Sequence, residues 1–474
     1  MYGLFFGSVE IRNFKMSEQK NNLQENKMGI MPEGKLLASM ATPMMISMLV
    51  QACYNIVDSI FVSQLGENAL NAVSLAFPMQ QIMIAVCGGT SVGMNALLSR
   101  ALGAKNFERA NKIANTGIFL AICCSIGFAL VGLLVTKPFF LAQTDVEEIV
   151  NYGTQYTMIC MVLSFGIVGQ FCFEKLLQST GRTFCTMITH LIGAITNIIL
   201  DPILIFGLFG FPKLEVAGAA IATVTGQIVA AIGAIIFNLK FNKEIHFSTK
   251  LIRFDKEIVK DIYKIGLPSI VMQSIGSVMT FTLNKILISF TTTATAVFGA
   301  YFKLQSFVFM PIFGLNNGMV PIIAYNYGAR KFSRVKKTII ITLVTAISIM
   351  LIGVAAFETI PDKLLLLFNA SEEMLAIGVP ALRIIGIHLI FAGFCIIAGS
   401  VCQAIGNPNY SLIVSVCRQL VVLLPCAWLL AQTGKLELVW FAFPIAECVS
   451  LALSAIFLGK TLKKAKKKMH DIII

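Results

Sequence analysis

Charged residues are scarce in this sequence: they make up 13% of its 474 residues, whereas 57% are hydrophobic. A soluble domain typically carries about 25% charged residues. The scarcity therefore excludes an ordinary soluble domain. Long apolar runs separated by short charged breaks indicate instead an all-α, polytopic membrane protein.

Patterned histidine and cysteine are also lacking. Only four histidines are present and none forms an HExxH pair, which argues against a zinc enzyme. The twelve cysteines lie singly or as one CC pair within apolar runs, without CxxC spacing, and are typical of small buried side chains. No Ser/His, paired-His or HxxxD constellation supports a membrane-embedded enzyme. We therefore expect no catalytic residue and no cofactor.

The apolar runs predict twelve membrane spans, several of them longer than the roughly 20 residues that a bilayer requires. Tilted helices that extend beyond the hydrocarbon would explain the extra length. The predicted limits are 36–64, 69–99, 110–136, 147–178, 184–207, 215–239, 258–290, 294–325, 336–360, 372–404, 409–432 and 437–459.

Lysine and arginine are distributed unevenly among the connections between these spans. With the N-terminus in the cytosol, 29 of the 37 Lys and Arg lie in inside segments, and the outside loops hold four. This bias is the positive-inside pattern, and it predicts that both termini are cytosolic. Because the net charge of +13 sits at helix ends, we expect no nucleic-acid partner. The polar first 35 residues do not resemble a signal peptide.

The sequence repeats itself at an offset of 225 residues. PMMISMLVQ from Pro43 corresponds to PSIVMQSIG from Pro268, SVGMNALLSRALGAKNF (91–107) to NNGMVPIIAYNYGARKF (316–332), and QSTGRT from Gln178 to QAIGNP from Gln403. Each repeat has six spans, so both halves insert with the same orientation. Parallel repeats of this kind place a substrate cleft between the halves, near the middle of the membrane, which is transporter architecture.

The repeat predicts two pseudo-symmetric six-helix lobes. We expect a cytosolic tail over 1–35, an N-lobe over 36–239, a cytosolic linker over 240–257, a C-lobe over 258–459 and a basic cytosolic tail over 460–474. The charged stretch 240–264 is expected to be partly an amphipathic helix at the membrane surface.

Asp58 is the only charged residue between Lys35 and Glu67, inside the first span. A carboxylate inside a membrane helix costs roughly 2.5–3.5 kcal/mol on insertion scales, so a functional role is expected to offset the cost. The nine residues to Glu67 place it roughly 13 Å from the outer end of the helix. Tyr54 and Asn55 precede it by four and three residues and share its face.

Asp201 is the only charged residue between Arg182 and Lys213, and it brings a second carboxylate of the same lobe to a similar depth. Asn197 lies four residues before it on the same helix face. Pro202 follows directly and permits a kink. Carboxylate, amide and hydroxyl oxygens suit Na⁺ or a transferable proton. The alternative is that both aspartates are structural and are hydrogen-bonded within the bundle.

Several stretches resemble the multidrug and toxic compound extrusion (MATE) family. They are PMMISMLVQACYNIVDSIFVSQLG, NIILDPILIFG followed by VAGAAIATV, and GAKN and GARK after the second span of each half. The resemblance covers roughly 36–460, and the N-lobe carboxylates are similar to those of the DinF-type and MepA-like bacterial branches. It implies export of organic cations and drugs in exchange for Na⁺ or H⁺ across the bacterial cytoplasmic membrane.

The resemblance also assigns a cation or proton site to the N-lobe. The matching positions are Tyr54, Asp58, Asn197, Asp201 and Thr223. If the ion is Na⁺, its ligands are expected to be Asp58, Asp201 and Asn197. The NorM-type branch relies on carboxylates of the C-lobe, but Leu283 occupies the position equivalent to Asp58. Coupling is therefore expected in the N-lobe alone.

Four further residues are candidates for the substrate cleft. Met48 and Gln51 lie on one edge of the first span and suit lipophilic cations. Glu174 is either an attractor of cations in the inner vestibule or a solvated helix end. Lys303 either repels cations or pairs with a carboxylate.

We predict a monomeric antiporter that exports cationic lipophilic molecules through alternating access of the two lobes. A flippase for a lipid-linked saccharide is the alternative, since related flippases share the fold. Buried Arg418 and Glu447 on the last two spans are expected to form a structural salt bridge.

Overall fold

In the computed structural model, which describes residues 26–470 except residue 369, the chain is a bundle of long helices. The first half comprises α1 (Glu33–Ser63), α2 (Glu67–Gly103), α3 (Phe107–Leu141), α4 (Glu147–Val162 and Phe165–Ser179), α5 (Thr183–Phe206) and α6 (Glu215–Phe241). The second half comprises α7 (Lys256–Ile288), α8 (Thr292–Gly328), α9 (Phe332–Thr359), α10 (Glu372–Gly386 and His388–Ile405), α11 (Pro408–Ala431) and α12 (Leu436–Val439 and Ala442–His470).

The all-α, twelve-span interpretation is confirmed, and α4, α10 and α12 each consist of two helical pieces. Eleven helices of the described chain are long and apolar enough to cross a membrane, and the two pieces of α4, joined at a 42° bend, make a twelfth span. The break in α4 near residue 163 has its counterpart at Ile387 in α10, close to one repeat offset away. The helical periodicity of an apolar run does not reveal such a break, since both pieces are apolar.

Glycines pack the two lobes together with approximate two-fold symmetry. A Cβ on Gly89 of α2 would lie 2.7 Å from the carbonyl oxygen of Gly266 in α7, and one on Gly314 of α8 would lie 2.6 Å from the nitrogen of Met45 in α1. Gly314 is Gly89 plus 225. The two remaining pairs of glycines obey the same offset, and each member packs against the backbone of the other lobe: Gly93 with Gly318, and Gly103 with Gly328.

These contacts all lie on one side of the bundle, which we call the terminal side because α1 begins there and α12 ends there. Contacts of α1 with α8 and of α2 with α7 hold the lobes together. At Gly318, a Cβ would lie 2.6 Å from the Cα of Ala41, about two turns after the start of α1. The opposite half of α1, which carries Asp58, packs instead within its own lobe, against α5.

The segment before α1, residues 26–32, crosses the terminal side and forms hydrogen bonds with both lobes. In the N-lobe, the Asn26 amide donates to the Thr180 carbonyl at 3.1 Å and to the Glu244 carboxylate at 2.7 Å. In the C-lobe, Asn326 donates to the Met28 carbonyl at 2.9 Å, and Arg334 donates to the carbonyls of Met28 and Met31. Part of the expected N-terminal tail is therefore an ordered bridge, whereas residues 1–25 lie outside the described residues.

Replacing Arg334 with Ala should lower thermal stability, because the guanidinium also faces Glu33 at 3.6 Å and its loss removes the Arg334 bond to the partly buried Met31 carbonyl. Losing such charge-assisted bonds typically costs about 1–3 kcal/mol. Lys336→Ala, an exposed residue on the same helix, is the matched control. Thermal unfolding in detergent measures the effect, and equal midpoints for the two variants would contradict it.

Two predicted connections differ in the structure. Of the stretch 240–264, the described residues between Phe241 and Lys256 contain only a short 3₁₀ turn, Thr249–Leu251, and the helical part is the start of α7. Asn111 and Asn115 of α3 bind the backbone of this linker instead, and thereby replace helical hydrogen bonds. At the other end, the basic segment after residue 460 continues α12 to His470, since lysine and alanine are good helix formers.

Candidate functional site

Close packing of α5 against α6 positions the polar side chains of the candidate ion site. A Cβ on Gly226 of α6 would lie 2.6 Å from the carbonyl oxygen of Gly193 in α5 and 3.3 Å from the Cβ of Asn197. A Cβ on Gly218 would lie 2.5 Å from the carbonyl oxygen of Leu204. Small residues at helix interfaces allow backbones to approach closely in membranes. This contact brings Thr223 of α6 next to Asn197.

Asp201, Asn197 and Thr223 form one hydrogen-bonded group. The Asn197 amide nitrogen donates to Asp201 Oδ1 at 3.3 Å and to Thr223 Oγ1 at 3.3 Å. Asp201 and Asn197 are buried, at 0% and 3% exposure. The spacing of four residues places the first two groups on one helix face, as the sequence predicts.

Three buried oxygens of this site have no hydrogen-bond partner: Asp58 Oδ1, Asn197 Oδ1 and Asp201 Oδ2. Asp58 lies within electrostatic range of Asp201 across the contact between α1 and α5. Unpaired buried oxygens are costly, and each one calls for a partner. This set of oxygens fits a Na⁺ ion or a shared proton, because hard oxygen donors suit both. The described residues contain no cluster of three or more His, Cys, Asp or Glu that could hold a metal.

Tyrosines surround the carboxylates. Tyr54 lies within electrostatic range of both Asp58 and Asp201, and Tyr156 of α4 within range of Asp58. Gln80 of α2 donates to the Tyr156 hydroxyl at 3.3 Å. The sequence interpretation missed Tyr156 and Gln80. That interpretation relied mainly on lone charged residues within apolar spans. Neutral polar residues within such spans are a weaker indication of a functional site.

Three further predicted residues lie on α1. Asn55 is exposed, whereas Asn197 is buried. Met48 and Gln51 are half-buried. Met45 is the α1 residue that meets Gly314 of the other lobe, and Met48 and Gln51 lie about 4.5 and 9 Å further along the helix axis. Met48 and Gln51 therefore lie on α1 just beyond the point at which the two lobes contact each other.

Glu174 is not a solvated helix end, so that interpretation is wrong. Its side chain is 5% exposed, and its carboxylate lies 2.8 Å from His190 Nε2 and accepts hydrogen bonds from Thr189 and Gln170. All these partners belong to α4 and α5 of the N-lobe. Two helices bring particular residues together according to the rotation of each helix about its own axis. The limits of the spans do not give that rotation.

Lys303 is exposed, and its ammonium lies 5.8 Å from the centre of the Phe368 ring, in the connection before α10. This distance is within the range of a cation–π contact. No carboxylate pairs with Lys303 within the described part of the chain. Among the described residues, Lys303 therefore contacts an aromatic ring and does not form the ion pair that was one of its two expected roles.

The predicted pair of Arg418 and Glu447 is confirmed and belongs to a larger cluster. Arg418 Nη1 lies 3.5 Å from Glu447 Oε2, and His388 Nδ1 lies 3.8 Å from the same oxygen. The other ring nitrogen of His388 lies 2.7 Å from the Tyr301 hydroxyl. Arg418 sits in a π-helical stretch of α11, Cys417–Leu423, and such stretches are frequent at functional sites.

If this cluster is structural, Glu447→Gln should lower the thermal midpoint while leaving any ion dependence of transport intact. Removing one partner of a buried ion pair typically costs about 3–5 kcal/mol, and the partial exposure of Arg418 should reduce this. Thermal unfolding and transport assays of the same preparation test the expectation. Glu437→Gln, in an exposed turn, is the control. An unchanged midpoint with altered ion dependence would contradict a structural role.

The fold and the buried carboxylates define the class: a polytopic membrane transporter of two similar lobes. The MatE family model matches residues 43–203 and 268–429, which begin one repeat offset apart. The chain belongs to the MatE family.

Curated relatives share the length of the chain. It is 27% identical over 426 residues to the multidrug export protein MepA of Staphylococcus haemolyticus, covering 89% of this chain and 93% of that one. It is 28% identical over 435 residues to the protein of the same name from Staphylococcus aureus (strain NCTC 8325 / PS 47), covering 90% and 94%.

Solved structures share the fold. An outward-facing multidrug resistance MATE transporter of the MOP superfamily has a TM-score of 0.88 at 26% identity, covering 94% of this chain and 99% of that one. A MOP superfamily transporter from Pyrococcus furiosus, described as having a binding pocket of reversed polarity, has a TM-score of 0.87 at 26% identity and the same coverage.

Proposed function

We propose that this protein is a secondary active multidrug exporter that exchanges cationic lipophilic molecules for Na⁺ or H⁺. The observation that carries the proposal is the group of unpaired buried oxygens on Asp58, Asn197 and Asp201. Relatives of similar length bear the name multidrug export protein. The terminal side is the cytosolic side in this proposal, in line with the bias of Lys and Arg toward it.

The coupling ion enters from the opposite side and binds between α1, α5 and α6. A proton would be shared by the two aspartates, whereas Na⁺ would take oxygens from Asp58, Asp201 and Asn197. Either ion relieves the repulsion between two carboxylates held within electrostatic range. Binding of the ion lowers drug affinity, so that the drug leaves outward and the site returns with the ion.

Helix α1 provides the connection between the ion site and the lobes. The same helix carries Asp58 near its end, Met48 and Gln51 in its middle, and the contact of Met45 with Gly314 nearer its start. A shift of α1 on ion binding would therefore change both the cleft and the interlobe contact. Exchange requires only that the ion and the drug bind with opposite preferences.

Efflux of an ethidium-like dye from vesicles with imposed gradients tests the proposal. Protein reconstituted in liposomes should drive dye against its gradient when either a Na⁺ gradient or a pH gradient is imposed, and should not do so without one. The gradient that drives dye efflux identifies the coupling ion as Na⁺ or H⁺. Equal dye movement with and without gradients, at the rate of empty liposomes, would contradict the proposal.

A further inference from the structure

A cavity lies away from the ion site, on the terminal side of the C-lobe. Its volume is about 450 Å³, and twelve residues line it. Four of them are basic, and none carries a carboxylate. The basic residues are Arg100, Lys264, Lys464 and Lys468. A concave site with four cations and no counter-charge among its lining residues favours an anionic ligand.

Arg100 reaches this cavity from the other lobe and is held in a fixed orientation. Its Nη2 donates to the carbonyl of Ala404 at 2.9 Å, and its guanidinium carbon lies 5.2 Å from the centre of the Tyr327 ring. A guanidinium that these two contacts already order is suited to bind an oxyanion.

The backbone between α10 and α11 completes the cavity. Gly406 adopts φ +96°, and a Cβ there would lie 2.9 Å from Arg100 Nη2, so a side chain would press on the guanidinium. Residues 407–410 form the start of α11 and also line the cavity. Helix N-termini favour anions, and the opposing C-terminal end of α10 is already capped by Arg100.

The pseudo-equivalent position in the N-lobe is filled by the chain itself. Gly406 minus 225 is Gly181, and a Cβ on Gly181 would lie 3.1 Å from Cε of Lys27. The Asn26 amide there donates to the Glu244 carboxylate, so the equivalent position in the N-lobe has an acidic side chain nearby. The C-lobe pocket differs in having only basic charges along its lining.

We propose that this cavity is a binding site for a phosphate group, supplied by an anionic phospholipid headgroup or by a soluble phosphate. The cavity is lined by donors from lysine, arginine, amide and tyrosine hydroxyl groups. These donors match the acceptor oxygens of phosphate. The ends of membrane helices, where the cavity lies, are at headgroup level, and basic pockets there recognise lipid headgroups. Because Arg100 comes from the N-lobe and the rest from the C-lobe, occupancy stabilises the closed terminal side. This proposal does not depend on the transported substrate.

The test uses two double variants of α12 that remove the same charge. Lys464→Gln with Lys468→Gln removes two cavity residues, and Lys463→Gln with Lys467→Gln removes two exposed lysines outside the cavity at the same spacing. Thermal unfolding of the full-length protein in neutral detergent is followed against inorganic phosphate, and separately against phosphatidylglycerol and phosphatidylcholine. Chloride at matched ionic strength controls for screening.

The unaltered protein and the Lys463/Lys467 variant should unfold at higher temperature with phosphate or with phosphatidylglycerol. The Lys464/Lys468 variant should need about tenfold more of the same anion for the same shift. A response to phosphatidylglycerol alone identifies a lipid, and a response to inorganic phosphate identifies a soluble anion. Equal responses of the two double variants, or no response of the unaltered protein to either anion, would overturn the proposal.

Discussion

Replacing Asp201 with Asn should abolish gradient-driven dye efflux while the protein still folds. Asparagine has the same shape and can still accept from Asn197 at the position of Asp201 Oδ1, so the α5–α6 packing is kept. It cannot bind a proton reversibly or supply a negative charge to Na⁺. Coupling between two ligands typically changes the affinity for one of them by about 5- to 150-fold when the other binds. In Asp201→Asn, the affinity for the dye should no longer change with the coupling ion.

The matched control for Asp201→Asn is Asp145→Asn, the same substitution in an exposed loop of the same lobe. It should transport as the unaltered protein does. Asp58→Asn should reproduce the loss seen with Asp201→Asn. Retained uphill efflux in both Asp58→Asn and Asp201→Asn, at normal protein levels, would favour the structural interpretation of these carboxylates.

Replacing Gly318 with Leu should force the lobes apart on the terminal side. Its Cβ alone would lie 2.6 Å from the Cα of Ala41, a backbone contact that no rotamer relieves. Overpacking typically costs about 1–3 kcal/mol, which shifts a two-state population by about 5- to 150-fold. Dye efflux should fall accordingly, and hydrogen exchange should rise in the first turns of α1.

Gly299→Leu is the control, since Gly299 lies on the same helix α8 and faces open space. Gly93→Leu, the repeat equivalent of Gly318→Leu, should show the same defect because it meets α7 as Gly318 meets α1. Normal exchange and efflux in both Gly93→Leu and Gly318→Leu would contradict the role of these glycines in closure.

The repeat made much of the fold predictable. An offset of 225 residues predicts two similar lobes, and the glycines that join them are related by the same offset, as Gly89 and Gly314 illustrate. The ends of α12 and the linker were less predictable. Helix α12 continues to His470 because its last residues have high helix propensity. The conformation of the linker is determined by hydrogen bonds from Asn115 of α3.

The candidate site was predicted where a lone charge marks an apolar span. Asp201 and Asn197 share a helix face, and helical spacing alone brings them together. Contacts between helices were harder to predict. The pairing of Glu174 with His190 depends on how α4 and α5 are rotated, and the order of residues does not contain that angle.

The exchange of ion for drug is tested most directly by the affinity of purified protein for an ethidium-like dye as Na⁺ concentration and pH are varied. The dissociation constant should rise with the concentration of the coupling ion in the unaltered protein and should be independent of that ion in Asp201→Asn. A dissociation constant that is the same at every Na⁺ concentration and pH in the unaltered protein would contradict it.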